Sequence, residues 1–458
     1  MTNLRRTVPF LLALLGVLSS SCGGGLATDD DDAEASGAGG EAALSLEDQA
    51  LLAISPDPAV AERAIATLRA AGPRGHAALV ARHGWTLELL RQAPPDALDA
   101  SHERLRHAMD VVSAQRDGHA SGLYWHTDLE AAERESRETG RPILSLRMLG
   151  RLDEELSCAN SRYFRLVLYA NRQLSGYLRE HYVLHWSSER PVPRITIDMG
   201  DGRRLERTIT GNSIHYVLDA EGRVIDAMPG LLGPREMQAF LGEAEHAYRA
   251  STGAISDAEL GTGETAIAGH LERTGQRERG ALLSARRSFP AIPDAVAGEG
   301  ASPDAPSALL AMPLTVSKLA VEGTMVDALR APGVDPVDRG PIAWTRVGLE
   351  VFSLDPGSVF DAQSLALLRL KTGRDDASAR ELAQALSRTV VGDTARNRAT
   401  FRQSLLAWLS VPRRGDEPRP TLADFNTRVY RDLFLTPASD PWLGLQDPTV
   451  WDAIERLH

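Results

Sequence analysis

The chain reads as an α/β protein: a central stretch of alternating helices and short strands, with helical regions on both sides. Three observations carry this. Apolar runs of strand length stand at Pro142–Leu146, Tyr182–Trp186 and Ile214–Leu218. Turn residues mark two hairpins. Gly200-Asp201-Gly202 separates Ile195–Asp198 from Leu205–Thr210, and Asp219-Ala220-Glu221-Gly222 separates the third run from Arg223–Ala227. Outside this stretch the apolar residues recur at helical steps, as in Val60, Ala64 and Leu68.

Composition narrows the classes of function. Of the 458 residues, 43% are apolar and 24% charged, which is enough to build packed cores in two or three domains. The 39 glycines and 26 prolines point to linkers between them. A net charge of -12 argues against a general nucleic-acid binder. Two cysteines exclude a disulfide-dense scaffold and a multi-cysteine metal site, and no cofactor or metal motif is present. No apolar run reaches the ~18 residues that cross a bilayer. Lys318 and Lys371 are the only lysines among 50 basic residues, a bias expected to carry no chemistry.

The first residues look like an address. Arg5 and Arg6 precede an apolar run from Pro9 to Leu18, then Ser19-Ser20-Ser21 and Cys22. This resembles a bacterial lipoprotein signal, with Ser19 where that family usually has Leu. The resemblance implies removal of residues 1–21, export, and a lipid on Cys22 that holds the chain to the membrane. The absence of Asp just after the cysteine implies the outer membrane, facing the periplasm. The Arg pair also resembles a twin-Arg leader without its flanking pattern. Residues 22–44, with Gly23-Gly24-Gly25 and Asp29–Asp32, form an acidic linker unable to bury a core.

Residues 45–118 are expected to be helical: Ala59–Leu68, Ala77–Ala81, a short segment at Leu87–Leu90, and His102–Val112. Paired short helices with Pro/Gly turns resemble HEAT-like repeats over one or two units. The central domain covers 119–250. Its expected order is a helix at Leu129–Glu138, the first strand, a helix at Cys158–Glu180 kinked near Asn171, the second strand, the two hairpins, and a helix opened by Pro234. Residues 251–308 read as a largely disordered linker with one helix at Glu264–His270. A mainly helical C-terminal domain follows at 309–458, resuming at Pro313–Leu329 and including Ala379–Leu386, Thr400–Leu409 and Leu422–Phe434. Pro441, Trp442 and Trp451 are expected to clasp the C-terminus.

The central order and spacing resemble the thioredoxin superfamily. The resemblance rests on the Trp125–Arg141 entry segment, the Gly-Arg-Pro-Ile-Leu strand start and the Leu218–Ile225 hairpin. It implies a thioredoxin-like domain with a site at the start of the helix after the first strand, where the dipole and free N–H groups stabilise a thiolate. Cys158-Ala159-Asn160-Ser161 matches the Cys-x-x-Cys motif with Ser161 in place of the second cysteine. By the resemblance Cys158 is the nucleophile, Ser161 stands at the resolving position, and Arg162 helps hold the thiolate. Asn212 and Ser213 stand at the substrate-binding place where the family has a cis-proline. A single thiol implies mixed-disulfide exchange with protein thiols or disulfides. The opposite reading makes Cys158 a packed core residue in a binding or scaffold protein that keeps the fold without its chemistry. Arg165 and the acids Asp153, Glu154 and Glu155 pull the thiol in opposite directions.

The remaining candidates are weaker. His181 and His185 are expected on one strand, too far apart to share a metal, and His215 reads as a satisfied strand histidine. Arg190, Arg194, Arg203, Arg204 and Arg207 are expected to form a solvated face paired with Asp198, Asp201 and Glu206. A protein partner and a membrane contact through Cys22 are expected; the pattern leaves the oligomeric state open.

Overall fold

A computed structural model describes residues 44–92, 98–208, 212–288, 340–411, 418–434 and 436–439. Cys22, Pro313–Leu329 and the tryptophans of the tail lie outside the described residues. The described residues, all from Leu44 onward, form one compact unit.

Four helices open it: α1 (Leu46–Leu52), α2 (Pro58–Ala70), α3 (Pro73–Leu90) and α4 (Ala100–Ser113). Each start is locally encoded. Ser45 and Asp99 form capping boxes, Asp57 caps α2, and Pro58 and Pro73 fill first-turn positions that need no N–H donor. The sequence separates Ala77–Ala81 from Leu87–Leu90, whereas α3 runs through both and bends at His83, where φ/ψ is -113°/15°. His83 Nε2 bonds Ala50 O at 2.9 Å and so ties the bend to α1. Ile65, Leu68, Leu79, Leu87, Leu105 and Met109 give these helices a core of their own.

After the turn α5 (Gly118–Ser121) the central region follows. It comprises α6 (Leu129–Thr139), β1 (Ile143–Leu149), α7 (Ala159–Tyr163), α8 (Arg172–His181), β2 (Val183–Arg190), β3 (Arg194–Asp198), β4 (Arg204–Thr208), β5 (Ser213–Leu218), β6 (Val224–Pro229) and α9 (Pro234–Ser251). A π-helical turn, Phe164–Leu168, continues α7, and Asn171 caps α8, which is the break expected near that residue. Four strands form a mixed sheet in the order β2-β1-β5-β6. β1 runs parallel to β2 and antiparallel to β5, and β5 and β6 are an antiparallel pair. β3 and β4 form a separate ribbon. Gly222 takes φ +72° in the β5–β6 turn, a conformation that suits glycine.

The C-terminal part contains α10 (Glu264–Ser288), α11 (Gly340–Glu350), α12 (Ala362–Thr372), α13 (Asp376–Ala399), α14 (Phe401–Leu409) and α15 (Leu422–Arg428), the last extended by a π-helical turn at Val429–Leu433. Within the stretch expected as a largely disordered linker, the helix expected at Glu264–His270 is longer, because α10 runs for 25 residues; residues 289–308 lie outside the described residues. Its buried face carries polar side chains with partners, which conceals the period: His270 Nε2 bonds Asp226 at 2.8 Å, and Glu278 pairs with Arg398 at 2.9 Å. The C-terminal helices share the core of the sheet. Phe401, Leu405, Leu406, Phe425, Val429 and Tyr430 pack in one cluster with Leu146, Phe164, Tyr216 and Ile225. No described helix is long and apolar enough to cross a membrane.

Candidate functional site

Cys158 sits where the sequence expects it, immediately after the β1 loop and at the N-cap of α7. Its N–H donates to Leu149 O at 3.3 Å, which fixes the loop end against the strand. Its side chain faces inward. Sγ accepts from Ser161 N at 3.4 Å, and the residue is fully buried within the main core. A thiol here works as a weak helix cap and a small apolar filler.

The other expected site residues gather around it. Ser161 Oγ lies 2.5 Å from Ser157 Oγ and 3.0 Å from Cys158 O, so the hydroxyl binds backbone and loop and leaves the sulfur alone. Arg162 Nη2 donates to Thr208 Oγ1 at 2.9 Å, holding α7 to β4. Asn160 Nδ2 donates to Ser213 Oγ at 2.8 Å, so the α7 start and the β5 start do meet. The place expected to receive a substrate chain is filled, however. Tyr430 OH donates to Asn212 O at 3.2 Å, and Asn212 Nδ2 donates to Thr436 Oγ1 at 2.9 Å. Asn212 and Ser213 are both buried, Ser213 completely.

Tyr169 and Tyr430, both close to Cys158, have hydroxyls pushed well above the usual tyrosine range, chiefly by burial. Tyr169 shares a 2.8 Å hydrogen bond with His215 Nε2, and burial lowers His215 to about 3, so this imidazole is uncharged at neutral pH. The charges that compete for the thiol in the sequence are spent elsewhere. Asp153 pairs with Arg151 at 2.6 Å, Glu154 with Arg194 at 3.6 Å, and Glu155 with Lys371 and Arg116, each at 2.9 Å.

Arg165 belongs to a buried ionic network that the sequence does not announce. Asp117 accepts from Lys371 at 2.9 Å and lies 4.0 Å from Arg165, which also reaches Ser157 Oγ at 3.3 Å. Asp110 accepts from Gly118 N and from Arg116, both at 2.9 Å. The network joins α4, the loop before Cys158, the π turn after α7, and α12. Its members lie as far apart in sequence as Asp117 and Lys371, so only the scarcity of lysine marks the site. Burial and the Asp117 carboxylate raise Asp110 to about 7, against Arg116, whose side chain is 38% exposed and screened by water. A carboxyl raised on folding stabilises the fold below its unfolded value of about 4 and loses that contribution as pH rises through the folded value. The urea midpoint is therefore expected to fall between about pH 4 and 7, and Asp110→Asn is expected to flatten that fall.

The histidines part company. His181 ends α8, not a strand, and Nδ1 meets Glu245 at 2.9 Å, while His185 lies in β2 against Ser145 Oγ at 2.8 Å. Of the ribbon arginines, Arg203 pairs with Asp201 at 2.6 Å and Arg204 with Asp198 at 3.0 Å. Among the described residues no group of three or more His, Cys, Asp or Glu is placed to hold a metal ion. A crevice lined by Arg91, His119, Gln363 and Leu367 has a volume of about 10 Å³, room for one water. No family model, curated protein or solved structure matches the chain.

Proposed function

We propose that this is an exported, lipid-anchored protein with a thioredoxin-like domain that acts as a non-catalytic binding or scaffold module. The burial of Cys158 carries this reading: a thiol with no exposed surface, held as a helix cap in the core, is closed to a partner disulfide in this conformation. The sheet order supports the thioredoxin-like part. A parallel β1–β2 pair joined through helices, then an antiparallel β5–β6 pair followed by a helix, is the arrangement that the resemblance implies. The β3–β4 ribbon is an addition to that plan. The leader pattern ending at Cys22 supports export and the anchor.

The chain with Cys158→Ser is expected to keep the same cross-linked partners as the unaltered chain in cells. A disulfide-linked adduct seen on non-reducing gels with the unaltered chain, and lost in Cys158→Ser, overturns the scaffold reading and installs single-thiol exchange. Labelling with fatty acid tests the anchor separately: incorporation that Cys22→Ser abolishes is expected, and its absence in the unaltered chain removes the anchor.

A further inference from the structure

One face of α3 is exposed among the described residues. Ala77, Ala81, Trp85 and Leu89 follow one another at four-residue steps, and all four are exposed, Trp85 at 78% and Leu89 at 43%. The opposite face, with Leu79, Leu87 and Leu90, supplies the helical core, so the exposed stripe is not a misplaced core face. Arg74 and Arg82 flank the stripe and are exposed. The one acid of α3, Glu88, is engaged by Arg91 at 3.0 Å and by Arg172. In a chain whose net charge is -12, this helix is locally basic.

We propose that the Ala77–Ala81–Trp85–Leu89 face of α3 rests on the surface of the anionic phospholipid bilayer to which the chain is tethered. The inference depends on the anchor at Cys22 for its geometry and adds to it a second point of membrane contact. Residues 23–43, 21 residues in all, separate Cys22 from the compact unit. The chain enters the unit at Leu44, directly before α1, and α1 packs on α3 through the shared core and the His83–Ala50 bond. The stripe therefore belongs to the helical part of the fold that carries the tether. Its chemistry suits a bilayer surface: an indole and a leucine for the acyl boundary, guanidinium groups beside them for phosphate headgroups.

The test uses the mature chain from Gly23 onward, which lacks the acyl anchor and keeps the whole compact unit. It is sedimented with vesicles of phosphatidylethanolamine and phosphatidylglycerol and, in parallel, of phosphatidylcholine. Binding to the anionic vesicles with a blue shift of tryptophan emission is expected. Trp85→Glu with Leu89→Glu is expected to weaken it by roughly tenfold or more, with an unchanged melting curve because both side chains are exposed. Trp85→Phe should retain most of the binding. Absence of vesicle binding, or equal binding by the double variant, overturns the proposal. So does a concentration-dependent dimer in sedimentation velocity that the double variant abolishes, which assigns the face to a second copy. Incorporation of labelled fatty acid into the chain, lost in Cys22→Ser, judges the anchor independently, since it does not register membrane contact through the stripe.

Discussion

Arg402→Met is expected to lower stability by about 3–5 kcal/mol, one of the largest effects of any single substitution in this chain. Arg402 on α14 and Asp226 on β6 are almost fully buried, at 2% and 0% exposure. The guanidinium meets both carboxylate oxygens and also the carbonyl of Ala227. His270 on α10 completes the group from the other side. Burial by itself would raise the Asp226 carboxyl, but the charge and hydrogen bonds of Arg402, with the bond from His270, hold it well below the usual carboxylate range. Removing Arg402 strands that carboxylate in the core, where an unpaired charge costs several kcal/mol against a total stability of about 5–15.

The pH dependence should change sign with the substitution. A depressed carboxyl contributes stability at neutral pH that is lost as pH falls through the folded value, below the ordinary value near 4. Without Arg402, burial dominates, the carboxyl rises, and stability is instead lost as pH increases above about 4. Urea midpoints of both proteins across that range check the reversal. The double variant Arg402→Met with Asp226→Asn should recover a large part of the loss, because no buried charge remains. If the single variant is as stable as the parent, the C-terminal helices do not depend on this lock.

The lock also shows where sequence reading stops. The strands of the sheet are legible because β5 and β6 are short, apolar and bounded by turn residues, and Asn171 marks its break by cap chemistry. The helix α10 is read too short because past Ile267 and Leu271 its inward face continues with Thr274 and Glu278, both buried, and His270 is buried beside them. A buried polar face is invisible to a search for apolar period; its partners, Asp226 and Arg398, lie in distant elements. The candidate site divides the same way. Cys158, Ser161 and the meeting of α7 with Ser213 follow from local order and a family resemblance. That Tyr430 and Thr436 close over Asn212 depends on contacts more than 200 residues apart, and nothing local encodes them.

The closure of that site leads to the second large effect. In the mature chain from Gly23 onward Cys158 is the sole cysteine, so alkylation reports on one atom. Its native reaction should be slower than the reaction in denaturant by about 1,000-fold or more, because an opening that costs at least about 4 kcal/mol must come first. The order follows from the structure. Sγ is fully buried, α7 and the loop end are pinned through Ser157, Ser161 and Leu149, and the β5 start is covered by the turn after α15. The urea dependence of the native rate identifies what opens. A rate that rises with the full slope of global unfolding means the thiol is locked by the whole core, as expected for a structural cysteine. A rate independent of urea means that a local movement, the lifting of the Tyr430 turn from Asn212, uncovers the sulfur. Should that rate also level off with pH at a midpoint well below the ordinary thiol value of about 8.5, the thiol is activated. Single-thiol exchange then replaces the scaffold reading, because burial in the closed state would be a gate on the chemistry and no longer evidence against it.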